Sequence, residues 1–267
     1  MTTLPSTTGV GLSRGGVELK QFFRIKDQVI FTFSFPALIL VLLGSIFDET
    51  YPSGVSVGQV FTASMIGAGI VATSFLNLGI SVALDREDGT LKRLRGTPMT
   101  APAYFVGKIV LVAVSSLAEV ALLLGVGALM FDLSLPTDPG RWLTFAWVFV
   151  LAVVCCSMLG IAISSLARTA QSAAATTNLP YVALLFMSGV YITIDALPDW
   201  MLTVSSFFPI KWAAQGFRSV FLPDSMMVQE AAGSWEHGMT ALVLGAWCVI
   251  GLVLCLLTFR WTNKRAA

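Results

Sequence analysis

Apolar and polar positions along this chain do not alternate with a period of two. They fall into long apolar blocks parted by short polar ones. Crossing a hydrocarbon layer takes about 20 helical residues, and six blocks reach that length, at about 29–47, 58–83, 103–131, 142–166, 172–194 and 238–260. Without strand alternation a transmembrane barrel is not expected. A helix satisfies its own backbone hydrogen bonds in lipid, so the blocks predict an all-α integral membrane protein with six transmembrane helices. Two further segments are not spans. In residues 13–27, Leu19, Phe22 and Phe23 recur at helical spacing with Lys20, Arg24 and Lys26 between them. That pattern predicts an interfacial helix, anchored by Leu19, Phe22, Phe23 and Arg24. Residues 195–235 are half apolar but broken by Pro198, Pro209 and Pro223. They predict short helices in the outer leaflet, since proline cannot continue a backbone ladder. Residues 1–12, rich in Thr, Ser, Pro and Gly, predict a disordered tail. Residues 13–267 then form one membrane domain.

Composition sharpens this picture. Charged residues make up 12% and mean hydropathy is +0.82, against about 25% charged in a soluble domain. The net charge of +1 gives no basic excess for nucleic acid. One His and four Cys speak against a metal enzyme. Cys155, Cys156, Cys248 and Cys255 all sit in apolar blocks and read as small packing residues. Residues 1–27 hold no unbroken apolar core, so the first span is expected to act as the insertion signal.

Basic residues orient the chain. With both termini cytoplasmic, the inner segments collect Arg14, Lys20, Arg24, Lys26, the 86–95 cluster, Lys108, Arg168 and the last basic residues. The outer segments keep only Arg141, Lys211 and Arg218.

Between the second and third spans lies the charged run 84–98. Its acidic-basic pattern predicts a short cytoplasmic helix with Leu91 and Leu94 as an apolar edge for a partner, ended by Gly96 and Pro98. Within it, Glu87, Gly89, Thr90, Leu91, Leu94, Thr97 and Pro98 form Glu-x-Gly-Thr-Leu-x-x-Leu-x-x-Thr-Pro, continued by Tyr104, Gly107 and Lys108. Downstream stand Ser188-Gly189-Val190, Leu197-Pro198, Pro209-Ile210-Lys211-Trp212 and Arg218. Both stretches resemble the permease subunits of type-2 ATP-binding-cassette (ABC) exporters, including the daunorubicin drug-resistance kind. The likeness runs from residue 13 to the sixth span. It departs at Trp212, where that family carries His or another polar residue.

The resemblance implies a coupling helix at 84–98, with Glu87, Gly89, Thr90, Leu91, Leu94, Arg95, Thr97 and Pro98 docking on an ATPase. It implies two ABC ATPase subunits and a second permease subunit, identical or closely related. This chain has no phosphate-binding loop, so ATP and Mg are expected on the partner ATPase and no cofactor on this chain. The resemblance also implies a bacterial cell-membrane location. An outer gate is expected at Trp200, Phe208, Pro209, Trp212 and Arg218, with Lys211 and Arg218 paired to Asp195, Asp199, Asp224 or lipid phosphate.

Glu119 is the one acid well inside a predicted span, where an ionisable group is costly. It reads either as a polar contact in a substrate path or subunit interface, with Asn77 and Asn178, or as a carboxyl bonded to a neighbouring helix. Small residues such as Ala63, Gly67, Gly160, Ala173 and Thr177 read as packing faces, and Pro180 as a kink. Ser115, Ser116, Ser164 and Ser165 have no His/Asp partner in view, so no catalytic residue and no metal ligand is assigned. His237 reads as a solvated interfacial residue. The expected function is the membrane subunit of an exporter for an amphipathic, drug-like or lipid-like substrate. The alternatives are an ion-coupled secondary transporter and a lipid-modifying membrane enzyme.

Overall fold

A computed structural model describes residues 6–47, 49–97, 99–167, 169–192 and 194–259. The described residues are helical throughout, apart from loops and one isolated bridge between Thr50 and Ser56. Five helical runs are long and apolar enough to cross a membrane. They are α2 (Lys26–Ile46), the rod Val57–Glu87, α6 (Ala101–Met130), α7 (Pro139–Ser164) and α11 (His237–Thr258).

The chain enters through α1 (Thr7–Arg24), capped by the Ser6 hydroxyl, which accepts the Gly9 N–H. This corrects part of the expected tail at 1–12: residues 7–12 are helical, and residues 1–5 lie outside the described residues. Gly11, Gly15, Glu18 and Phe22 form the buried stripe of α1, which lies along α6. The two glycines permit the approach, since a Cβ there would stand 2.7 Å from Val106 and Val110. Leu19 is half-buried, while Phe23 and Arg24 are exposed.

The rod Val57–Glu87 has three parts. A capping box of Ser56 and Gln59 starts α3 (Val57–Val71), a π-turn spans Ala72–Asn77, and α4 (Leu78–Glu87) follows. Its 31 residues extend roughly 46 Å. A hydrocarbon core is about 30 Å thick, which the rod exceeds, and Asp85, Arg86 and Glu87 stand at its C-terminal end. There Gly89, at φ 77°, reverses the chain into α5 (Thr90–Arg95). Only glycine takes that conformation without strain.

The fifth expected span is α8 (Ala170–Met187), opened by a capping box of Thr169 and Ser172. Its 18 residues reach roughly 27 Å. Gln171, Thr176 and Asn178 dilute its apolar character, and it is not among the five most apolar runs. Ser188 ends it and Gly189, at φ 72°, turns the chain.

The segment 195–235 folds into α9 (Asp199–Ser206), α10 (Pro209–Phe221) and a short 3-10 turn, Asp224–Gln229. Both helices begin at the prolines or just after them, where the missing N–H costs nothing. Their burial differs from the expected lipid–water placement. Trp200 and Phe207 are exposed, but all of α10 is buried, Trp212 and Phe217 included. The reason is close backbone packing: a Cβ on Gly67 of α3 would meet Ala214 backbone at 2.8 Å, and Gly216 seats against Val148 of α7.

The pairing expected for Arg218 is also corrected. Its guanidinium forms a two-pronged bond to Glu230, at 2.5 and 2.9 Å, brought back by the 3-10 turn. It also donates to Ser64 Oγ and the Gly189 carbonyl. Asp224 instead pairs with Arg141, and Lys211 lies 3.9 Å from the Trp212 ring centroid. Arg218 and Glu230 are 3% and 5% exposed. Removing one partner strands a buried charge, so Arg218→Ala is expected to cost about 3–5 kcal/mol, whereas Arg218→Met with Glu230→Met together should cost far less. Thermal unfolding in mild detergent reads both; equal losses from the single and double variants would contradict the pairing.

Candidate functional site

Two constellations stand out. The first lies at the end of the rod that carries the charged run. Lys108 on α6 is 1% exposed. Its ammonium meets Asp85 of α4 at 2.8 Å, Glu18 of α1 at 3.0 Å and Ser81 Oγ at 3.0 Å. Arg14 donates to the other Glu18 oxygen, and the Tyr104 hydroxyl donates to Asp85. These bonds tie α1, α4 and α6 together. Arg86 reaches across to the Ser164 carbonyl on α7 at 2.7 Å. Glu87 accepts the N–H of Ala170, the first residue of α8, at 2.7 Å. A helix N-terminus leaves its first N–H groups unpaired and favours negative charge, so this bond joins the rod directly to α8.

Beyond that joint, Asp88 Oδ1 accepts the Thr90 N–H and Arg93 donates to the Thr90 hydroxyl. Burial pushes the Asp88 carboxyl up, but the Thr90 bonds and the charges of Arg93 and Lys108 hold it below its ordinary value. The Thr97 hydroxyl donates to the Leu94 carbonyl; Pro98 lies outside the described residues. One expectation fails here. Leu91 is fully buried and Leu94 half-buried in this chain's own core, together with Tyr104 and Phe105. The turn at Gly89 points α5's apolar side back at the bundle. What α5 leaves exposed is Lys92, Arg93, Arg95 and Thr97, next to Glu87. Leu91→Asp should therefore unfold the protein rather than merely detach a partner.

The second constellation is a cavity of about 360 Å³ among α2, the π-turn, α6 and α8. Asn77, Glu119 and Asn178, three residues from different blocks, all line it. Thr73, Tyr181 and Tyr191 complete its polar side, and Phe31, Phe35 and Leu185 its apolar side. The Thr73 hydroxyl donates to Glu119 Oε2 at 2.9 Å. Gly69 makes room for that carboxylate, since a Cβ there would collide with it. The π-turn sets Thr73 and Asn77 side by side; such turns gather at functional sites. Gly160 of α7 supports it from behind, because a Cβ would stand 2.6 Å from the Phe75 carbonyl. Sequence reasoning missed Thr73 and Tyr181. Each had a signal: Thr73 is four residues from Asn77, and Tyr181 three from Asn178, both on one helical face.

The residues expected to gate the outer side are not gathered in one place. Trp200 is exposed. Phe208 stacks on Trp247 of α11. Pro209, Trp212 and Arg218 belong to the buried α10, and the Trp212 indole donates to the Ser206 carbonyl. His237, exposed, bonds Ser219 Oγ at 2.9 Å. Cys248 and Cys255 pack α11 against α7, each donating to an α7 carbonyl.

A family model described as "ABC-2 type transporter" matches residues 16–222. Among curated proteins, a Bacillus subtilis (strain 168) protein described as a transport permease, YvfS, is 21% identical over 192 residues, 72% of this chain and 77% of the relative. The daunorubicin resistance ABC transporter permease protein DrrB1 of Streptomyces coeruleorubidus is 23% identical over 272 residues, 99% of this chain and 89% of its own length. An Escherichia coli (strain K12) protein described as a multidrug ABC transporter permease, YbhR, is 24% identical over 148 residues, 55% of this chain and 39% of that protein.

Proposed function

Because this chain belongs to the ABC-2 type transporter family, we propose that it is the membrane subunit of an ATP-driven exporter. It is a transport permease subunit rather than an enzyme. Hydrolysis falls to a separate ATPase, with ATP and Mg held there, and two such subunits serve a pair of permeases. The substrate is an amphipathic, drug-like or lipid-like molecule moved outward from the cytoplasm or inner leaflet. In this reading α8 is the fifth of six spans, both termini are cytoplasmic, α1 lies in the inner interface, and α9 and α10 sit on the outer side.

The observation that carries the reading is the joint between Glu87 and Ala170. It links the end of α4, where the chain turns into α5, to α8, and α8 lines the cavity holding Glu119. A push on α5 is thereby delivered to a wall of that cavity. A ligand or partner drives such a change only by contacting the two states differently, and α5 offers Lys92, Arg93 and Arg95 for that contact. Exposed Asn178 and Thr176 on α8 suit a second permease or water better than lipid tails.

Purification in mild detergent, with mass identification of every stably bound chain, tests this directly. An ATPase subunit is expected, and its absence from a folded, inserted preparation would overturn the reading. Topology gives a second check. In a variant lacking the four native cysteines, a cysteine at position 50 or 137 should label from outside, and one at 93 or 169 only after permeabilisation. External labelling at 93 would remove α5 from the cytoplasm.

A further inference from the structure

Two further cavities share a lining residue with the cavity that holds Glu119. On the coupling side a cleft of about 610 Å³ opens among α1, α2, α4 and α6. It shares Asn77 with the central cavity. On the opposite side a recess of about 580 Å³, floored by Tyr51, Val57 and Phe61, shares Tyr191 with it. Asn77 and Tyr191 each line two neighbouring cavities.

Charge among these cavities is uneven. In the inner cleft Glu18 and Asp85 are matched by Arg14 and Lys108, and Asp88 and Arg24 both line it. That mouth is balanced. The central cavity holds one ionisable acid, Glu119, 2% exposed. Among the described residues no Lys, Arg or His lines it, and Glu119 forms no ion pair; its one polar partner is the neutral Thr73 hydroxyl. The outer recess carries Glu49 as its only charged lining residue among those described. A carboxylate at bilayer depth is costly unless something offsets it. An ion pair there gains strength from the low dielectric, and a bound anion would meet repulsion instead.

We propose that the central cavity binds amphipathic organic cations, with the Glu119 carboxylate meeting the cationic group while Tyr181, Tyr191, Phe31 and Phe35 cover the apolar body. This rests on the reading of the chain as a transport subunit and adds the charge of its substrate. The volume suits the proposal, since drug-sized ligands occupy pockets of about 300–1,000 Å³ lined mostly by apolar and aromatic groups. Tyrosine faces add a weak attraction for cations. The Thr73 hydroxyl holds one carboxylate oxygen and the other lies against Gly69, so the carboxylate acts on a ligand through its charge at the cavity wall.

The test uses a matched pair of probes. Tetraphenylphosphonium and tetraphenylborate have nearly the same size and shape and opposite charge. Binding of each is measured on the full chain in phosphatidylglycerol nanodiscs, which offer no lipid amine, with empty nanodiscs subtracted. Saturable binding of the cation and none of the borate is expected. Glu119→Gln should weaken cation binding about tenfold or more, the loss of one ionic attraction in a site of reduced dielectric, and Glu119→Asp should stay within about threefold of the original. Equal displacement by the borate in the unmodified chain would overturn the proposal without any variant. So would unchanged cation binding in a folded Glu119→Gln chain. The experiment needs no ATPase. Lost cation selectivity with an ATPase still co-purifying removes only this site. Selective cation binding with no ATPase partner removes the exporter reading and leaves the site standing.

Discussion

Replacing Lys108 with methionine will loosen α1 from the bundle and lower stability by about 3–5 kcal/mol, the cost of breaking a buried pair. Methionine fills the space of the lysine stem but leaves Asp85 and Glu18 without the ammonium that sits 2.8 and 3.0 Å from them. Arg14 still reaches one oxygen of Glu18, so α1 keeps a partial tether. Asp85 keeps only the Tyr104 hydroxyl in place of the lysine. The loss should therefore fall on the α4–α6 contact as well as on α1. Thermal unfolding in detergent gives the magnitude, and limited proteolysis near residue 25 shows whether α1 is released. A variant with native melting and native protease resistance would mean that glycine packing along α6 holds α1 without the ion pairs.

Glu87→Ala will uncouple ATP hydrolysis from transport while leaving the fold nearly intact. The side chain is exposed and its one strong bond goes to the Ala170 N–H. Losing a helix N-terminal partner costs only about 0.5–2 kcal/mol. The mechanical consequence is larger, because that bond is the direct link from the α4–α5 joint to α8. Transport and substrate-stimulated hydrolysis in the assembled complex should fall on the order of tenfold, the scale of a typical coupling free energy. Glu87→Gln keeps a carbonyl acceptor and should retain much of the activity; Glu87→Asp is one methylene shorter and should not. If alanine and glutamine behave alike, charge toward the ATPase matters rather than the bond to α8.

The long helices were legible in the sequence because lipid imposes one simple rule, an unbroken apolar run of sufficient length. Proline positions equally announced where α9 and α10 begin. Burial was not legible. Leu91 reads as the apolar edge of a charged surface helix until the chain reversal at Gly89 places it inside. Trp212 and Phe217 read as interfacial aromatics until Gly67 and Gly216 admit α10 to the centre. Partners distant in sequence were hidden for the same reason. Glu230 became the partner of Arg218 only through a 3-10 turn that no periodicity marks. Asn77, Glu119 and Asn178 stood out singly as polar residues in apolar blocks, and the packing of three helices gathers them on one cavity. The helical start at Thr7 went unseen because composition outweighed the Ser6 cap.

The central claim is that a separate ATPase grips the exposed face of α5 and moves α8 through Glu87. A photo-crosslinking residue placed at Lys92 in the native membrane tests it most directly. The account predicts a crosslink to a chain carrying a phosphate-binding loop, with a yield that changes when non-hydrolysable ATP is added. A Lys92 probe that reacts only with lipid or water in the active, assembled transporter would contradict it.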